Sequence, residues 1–177
     1  MQTIYILRHF KVKDTITNKL NSKEFKTWID LYDNSALEYL DIDIPQVDKV
    51  YVSNQKRAMM TADYFKLDYD QTDLLREVET FPFMNTRLKF SKHFWLIISR
   101  ILWLLNITSK ETKRDTIKRA KEFIEQLKNN NQEETVLIIS HGLFLKVLIS
   151  EFKKIGFRGN IDLKIKNGVV YELKTKI

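Results

Sequence analysis

The chain has 177 residues, 44% of them hydrophobic and 30% charged, with no cysteine and a formal net charge of +7. This balance is ordinary for a globular protein with a sizeable core, and the lack of cysteine excludes disulfides, zinc–thiolate sites and thiol catalysis. The positive charge would help attract a phosphorylated substrate, but the lysines are scattered and no RNP-like motif, zinc-finger spacing or long basic run occurs, so no nucleic-acid ligand is expected.

The length fits one domain over residues 1–177. The first residues enter a strand with no basic-then-apolar leader, so a cytoplasmic protein is expected. That strand is Ile4-Tyr5-Ile6-Leu7, an apolar run that ends without a spacer in Arg8 and His9. In an open, mainly parallel α/β sheet the carboxyl end of a central strand is where ligands bind. Phe10 to Asn21 is polar and reads as a loop bordering that site. Asn21 or Ser22 can cap a helix with Glu24 in its first turn. Phe25, Trp28, Ile29, Tyr32, Ala36, Leu37 and Leu40 continue it at helical spacing, more consistent with core than with a ligand platform.

A second strand, 48–53, ends in Ser53, which is placed to cap a helix carrying Arg57 in its first or second turn and burying Ala58, Met59, Ala62 and Phe65. Unpaired amides and the positive end of the dipole make such a helix start an anion site, and an arginine adds to it. Phe81 to Met84 reads as an apolar loop. Residues 94–105 are nearly continuously apolar around Arg100, too short for an ordinary transmembrane helix. A buried helix is the first reading, with contact to a partner, a second copy, a membrane surface or an apolar substrate as the alternative. His93 just before it reads as exposed. Residues 111–129 form an amphipathic helix burying Ile117, Ala120, Phe123, Ile124 and Leu127, and 128–133 a polar connector. The third strand, 134–140, runs into His141-Gly142 and a helix over 143–152. Alternation in 161–165 and 169–173 around Asn167-Gly168 predicts an antiparallel hairpin at the sheet edge.

Three strands thus end in Arg-His, in Ser with Arg four residues on, and in Ser-His-Gly. Leu7-Arg8-His9, Ser53 through Ala62, and Ile139-Ser140-His141-Gly142 resemble, in order and spacing, the three signature blocks of the histidine phosphatase superfamily, the phosphoglycerate mutase-like proteins. The resemblance implies a three-layer α/β sandwich with a mixed, mainly parallel central sheet flanked by helices. It also implies metal-independent hydrolysis of phosphomonoesters through a phosphohistidine on His9, with no cofactor. Arg8 and Arg57 would grip the phosphoryl oxygens, and His141 and Gly142 would face them from the start of the last helix. Relatives carry a Leu-x-Glu element whose glutamate is the proton donor; Leu75-Arg76-Glu77 matches it, with Glu79 in reserve.

Two positions depart from the family pattern. Phe10 stands where a glycine usually follows the histidine, and Thr15 where an asparagine often contacts phosphate; Asn18 could replace it only if the loop runs differently. The expected partner is a small phosphorylated molecule or a phosphoprotein. Phosphoglycerate mutase-type transfer and a catalytically silent phosphate- or phosphopeptide-binding module are the alternatives.

Overall fold

The computed structural model describes residues 2–16, 18–108, 110–129 and 134–175. Its centre is a six-stranded sheet of β1 (Thr3–Arg8), β4 (Lys49–Ser53), β5 (Asp70–Thr72), β6 (Thr135–Ser140), β7 (Phe157–Arg158) and β8 (Val170–Thr175). The order is β5-β4-β6-β1-β8-β7. β5, β4, β6 and β1 run parallel, while β8 is antiparallel to β1 and β7 antiparallel to β8. This is the expected mixed, mainly parallel α/β architecture.

The two-residue period of the strands sorts their side chains between two cores. Ile4, Ile6, Tyr51, Val136, Ile138, Tyr171 and Leu173 face a core shared with α4 (Lys113–Asn129) and α5 (Gly142–Lys154). Leu7, Val50, Val52, Leu137 and Ile139 face the opposite side, against Ala58 and Ala62 of α2 (Lys56–Tyr64). Near-continuous apolar strands are what a sheet covered on both faces requires.

The first helix, α1 (Ser22–Asn34), starts as expected. Asn21 accepts from the amides of Lys23 and Glu24, and Glu24 returns a bond to the Asn21 amide, a complete capping box. Its end differs from the expectation of a helix reaching Leu40. Ser35 turns extended, and β3 (Leu37–Glu38) pairs with β2 (Lys11–Val12), a strand inside the segment read as loop. Burial of Leu37 against Phe10 and Val12 outweighs its helical spacing.

Two further boundaries shift. Gln55, not Ser53, caps α2, and it does so without a side-chain bond. The C-terminal hairpin is also differently built. Residues 161–165 form no strand, because the Tyr171 hydroxyl donates to Asp162 and accepts from the Lys166 amide, folding that segment over β8. β7 takes the edge instead. Of the expected connector 128–133, Lys128 and Asn129 close α4 and the rest lies outside the described residues.

The apolar stretch forms α3 (Lys92–Leu104), capped by Ser91. It is not a fully buried helix. Trp95, Ser99 and Trp103 point inward, with the two indoles bonded to the Leu20 carbonyl and the Thr116 hydroxyl, whereas Phe94, Ile97, Ile101 and Leu104 are exposed. Among the described residues no helix is long and apolar enough to cross a membrane.

Candidate active site

β4, β6 and β1 are neighbours, so their carboxyl ends bring together groups far apart in sequence. Arg8 ends β1 with His9 next, Arg57 lies in the first turn of α2, and His141 caps α5. Arg8, His9, Arg57 and Glu77 line one cavity of about 390 Å³. His141 is fully buried, its ring centroid 5.0 Å from that of His9.

His9 is held by its own backbone neighbourhood. Its Nδ1 donates to the Phe10 carbonyl at 2.6 Å, which places the proton on Nδ1 and leaves the Nε2 lone pair free. Burial holds its pKa well below the usual histidine value, and the His141, Arg57 and Arg8 surroundings add to this. The His9 amide donates to Ser140 O at 3.0 Å, and its carbonyl accepts from Asn167 Nδ2 at 2.6 Å. The Gly168 amide binds Arg8 O at 3.0 Å, and Arg8 Nη1 donates to Ile165 O at 2.9 Å. The loop expected as a simple turn therefore clamps the Arg8-His9 pair, and Gly168 (φ +66°) supplies the left-handed residue that this needs.

Phe10 does not intrude on the cavity. Its ring is fully buried on the other side, edge-on to Tyr39 and Tyr64, and its amide donates to Thr61 Oγ1 at 3.1 Å. Only its backbone serves the site. Thr15 and Asn18 both line a separate cavity of about 530 Å³ beside α1, so neither replaces the missing asparagine. Asp14, bonded to Lys92 and the Trp28 indole, is the residue of that loop which reaches the His9 cavity.

Arg57 is almost completely buried and already partnered. Nη1 is ion-paired with Asp33, Nη2 donates to His141 Nδ1 at 3.4 Å, and the guanidinium lies over the Tyr32 ring. An arginine has no acceptor, so His141 Nδ1 is unprotonated and its Nε2 donates to Ser53 Oγ at 2.8 Å. Burial, then the charges of Arg57, Arg8 and Arg119, hold the His141 pKa well below its ordinary value. Arg8 Nε and Arg57 Nε are buried donors without a partner among the described residues. Such orphans are rare in native proteins, and these two belong to the two arginines that line the cavity.

Gly142 provides room for the Arg8 side chain. A Cβ at that position would stand 2.9 Å from Arg8 Cζ and 3.1 Å from Nε. The next amides, of Leu143 and Phe144, are occupied by Glu77, whose carboxylate accepts from them at 3.2 and 2.9 Å and from Val78 N at 2.9 Å. Burial pushes the Glu77 carboxyl up. The Arg100 charge and these three amides outweigh it and hold the pKa below the ordinary value. Glu79 is exposed, pairs with Lys110 and does not line the cavity.

Several participants escaped the sequence reading. Arg119 of α4 donates to the carbonyls of Leu74 and Arg76 at 2.8 Å each and pairs with buried Glu111, while Ser140 Oγ donates to Leu75 O at 2.6 Å; together they fix the segment leading to Glu77. Asp33, Tyr32 and Ser53 act on the two candidate phosphate ligands Arg57 and His141. Tyr32 and Ser53 were marked only as a core position and a strand end, and no local pattern marks Asp33. Arg100 was visible as the one charge inside an apolar run, and it lines the cavity beside Glu77, as does exposed His93. Among the described residues no group of three metal-ligating side chains is assembled.

The model of the histidine phosphatase superfamily (branch 1) matches residues 38–176, and the chain belongs to that family. The matched range begins after Arg8-His9, which the sheet nonetheless seats beside the other two blocks. Solved structures share the fold at low identity. The mycobacterial glucosyl-3-phosphoglycerate phosphatase superposes with a TM-score of 0.60 at 14% identity, over 98% of this chain and 93% of that one. A phosphoglycerate mutase from Bacillus anthracis gives 0.57 at 17%, over 98% and 88%. The alpha-ribazole phosphatase from Shigella flexneri gives 0.55 at 16%, over 96% of both chains. No curated protein sequence matches the chain.

Proposed function

We propose that the protein is a cytoplasmic, metal-independent phosphomonoesterase that works through a phosphohistidine on His9. The observation that carries this reading is the His9 tautomer, with Nδ1 donating to the Phe10 carbonyl and Nε2 free in a cavity that also holds Arg8 and Arg57. Nε2 attacks phosphorus and the N–P bond forms as the ester P–O bond breaks. Arg8 and Arg57 offset the charge on the equatorial oxygens. Glu77, protonated, gives its proton to the leaving alkoxide. Water then attacks phosphorus, the N–P bond breaks, and the water proton returns to Glu77. When a phosphate dianion displaces Asp33 from Arg57, His141 can take up a proton and become a further donor.

The test is direct. His9→Ala should abolish turnover of p-nitrophenyl phosphate, and the wild-type protein quenched during turnover should carry acid-labile, alkali-stable phosphate. Full activity in His9→Ala overturns the mechanism. Phosphate binding with no turnover of any ester would point instead to a silent binding module. Isomerisation of a phosphoglycerate without release of phosphate would point to a mutase.

A further inference from the structure

The α3 face that stays exposed is apolar and lies next to the catalytic cavity. Ile97, Ile101 and Leu104 are 57%, 44% and 50% exposed. They line a groove of about 330 Å³ together with Leu96, Arg100 and Trp103. Leu96 and Arg100 also line the cavity that holds His9. The two spaces therefore adjoin along one helical turn, a cationic phosphate end on one side of Leu96 and Arg100 and an apolar trough on the other.

The cavity itself has a partly apolar wall. Beyond the charged groups its wall combines the apolar Trp28, Ile29 and Leu96 with the polar Tyr32, Thr80 and His93. Asp14 and Lys92 are spent on each other, with Nζ 2.6 Å from Oδ2. The apolar part of this wall meets the α3 groove at Leu96, on the path that a leaving group would take away from the arginines. A second copy of the chain is the competing occupant of the groove, and a flat chain-length series from a protein that is dimeric in solution would show it.

We propose that the substrate class is a phosphomonoester of an alkyl or acyl chain, with its phosphate at Arg8, His9 and Arg57 and its chain laid over Leu96 into the α3 groove. The inference rests on the phosphatase reading above and specifies its leaving group. Trp95 and Trp103, anchored by their indole bonds, hold the groove in place before any ligand arrives, which lowers the ordering cost of binding.

The experiment compares kcat/KM for ethyl, butyl, hexyl, octyl and decyl phosphate, each below its micelle concentration and without detergent. For the wild type, kcat/KM should rise with each added methylene, by up to about fourfold where the methylene is fully buried. Ile101→Ser and Leu104→Ser should each lower the decyl-to-ethyl ratio at least tenfold. Ile155→Ser, an exposed apolar residue at the end of α5, should leave the ratio as in the wild type. Because each value is a ratio within one variant, partial loss of folded protein cancels. A flat chain-length series in an enzyme that hydrolyses p-nitrophenyl phosphate overturns this inference alone, while no hydrolysis of any ester overturns the phosphatase reading. A rate gain that needs anionic vesicles and is independent of chain length also overturns it, making α3 a membrane-docking face.

Discussion

The Glu77 carboxylate accepts three backbone amide bonds and faces the Arg100 charge, and each of these favours the anion. A general acid in that setting is protonated only in acid, or when a bound phosphate dianion offsets Arg100. His9 stays neutral well below the usual histidine range, so it remains nucleophilic there. We therefore expect kcat/KM toward alkyl phosphates to rise as the pH falls from about 7 to about 5. Arg100→Gln should move that limb to higher pH. Glu77→Gln should cost about 10²–10⁴-fold with alkyl phosphates and much less with p-nitrophenyl phosphate, whose leaving group needs little protonation. Glu79→Gln, removing an exposed partner of Lys110, should change neither. Asp33 bears on the same cavity from the other side. Its carboxylate, itself open to solvent, occupies the buried Arg57 nitrogen that a phosphate oxygen would take, and a pair screened by water on one side is worth about 1 kcal/mol. Asp33→Asn should tighten orthovanadate inhibition by about two- to fivefold, measured as Ki. Weaker inhibition would make Asp33 an orienting partner of Arg57 and not its competitor.

The start of α5 serves two groups at once, offering amides to Glu77 and space to Arg8. Gly142→Ala separates these tasks from helix stability. Alanine is about 1 kcal/mol better than glycine in a helix, and the atoms its Cβ meets belong to the far end of a flexible side chain. The fold should therefore hold, with Tm unchanged or raised. The displaced guanidinium should lower kcat/KM about 10- to 100-fold, as loss of a positioned charge-assisted donor does. A variant with wild-type activity would show that Arg8 grips phosphate from another rotamer. At the element scale the strands were legible and the helix ends were not. β1, β4 and β6 are marked by apolar runs and each ends at its polar residue. α1 stops at Asn34 because Leu37 finds a better place against Phe10 and Val12, a contact made by a strand 25 residues earlier in the chain.

The molecule as a whole buries two neutral histidines among three arginines. Their folded-state pKa values are depressed, so below about pH 6.5 the unfolded chain binds more protons than the native one. The stability they contribute is complete above that pH and is lost as the pH falls toward their folded values. Tm should thus drop between about pH 7.5 and pH 5.5 in phosphate-free buffer, and scanning calorimetry across that range checks it. A Tm that does not fall would mean that the rings charge freely in the folded state.

By itself the sequence determined the α/β class and the three strand ends, because each is written locally as an apolar run that stops at a polar residue; His9, Arg8, Arg57 and His141 became candidates through the resemblance of those strand ends to the family's blocks. Glu77 was legible only as one of two glutamates. The fold separated them by depth, giving Glu77 the amides of α5 and leaving Glu79 in solvent with Lys110. Asp33 on Arg57, Ser53 on His141, Asn167 on the His9 carbonyl and Arg119 behind the Glu77 segment were decided by tertiary structure alone. Each joins residues between 24 and 158 positions apart. No local spacing encodes such a contact, since it exists only once the sheet order has set β4, β6, β1 and β8 side by side.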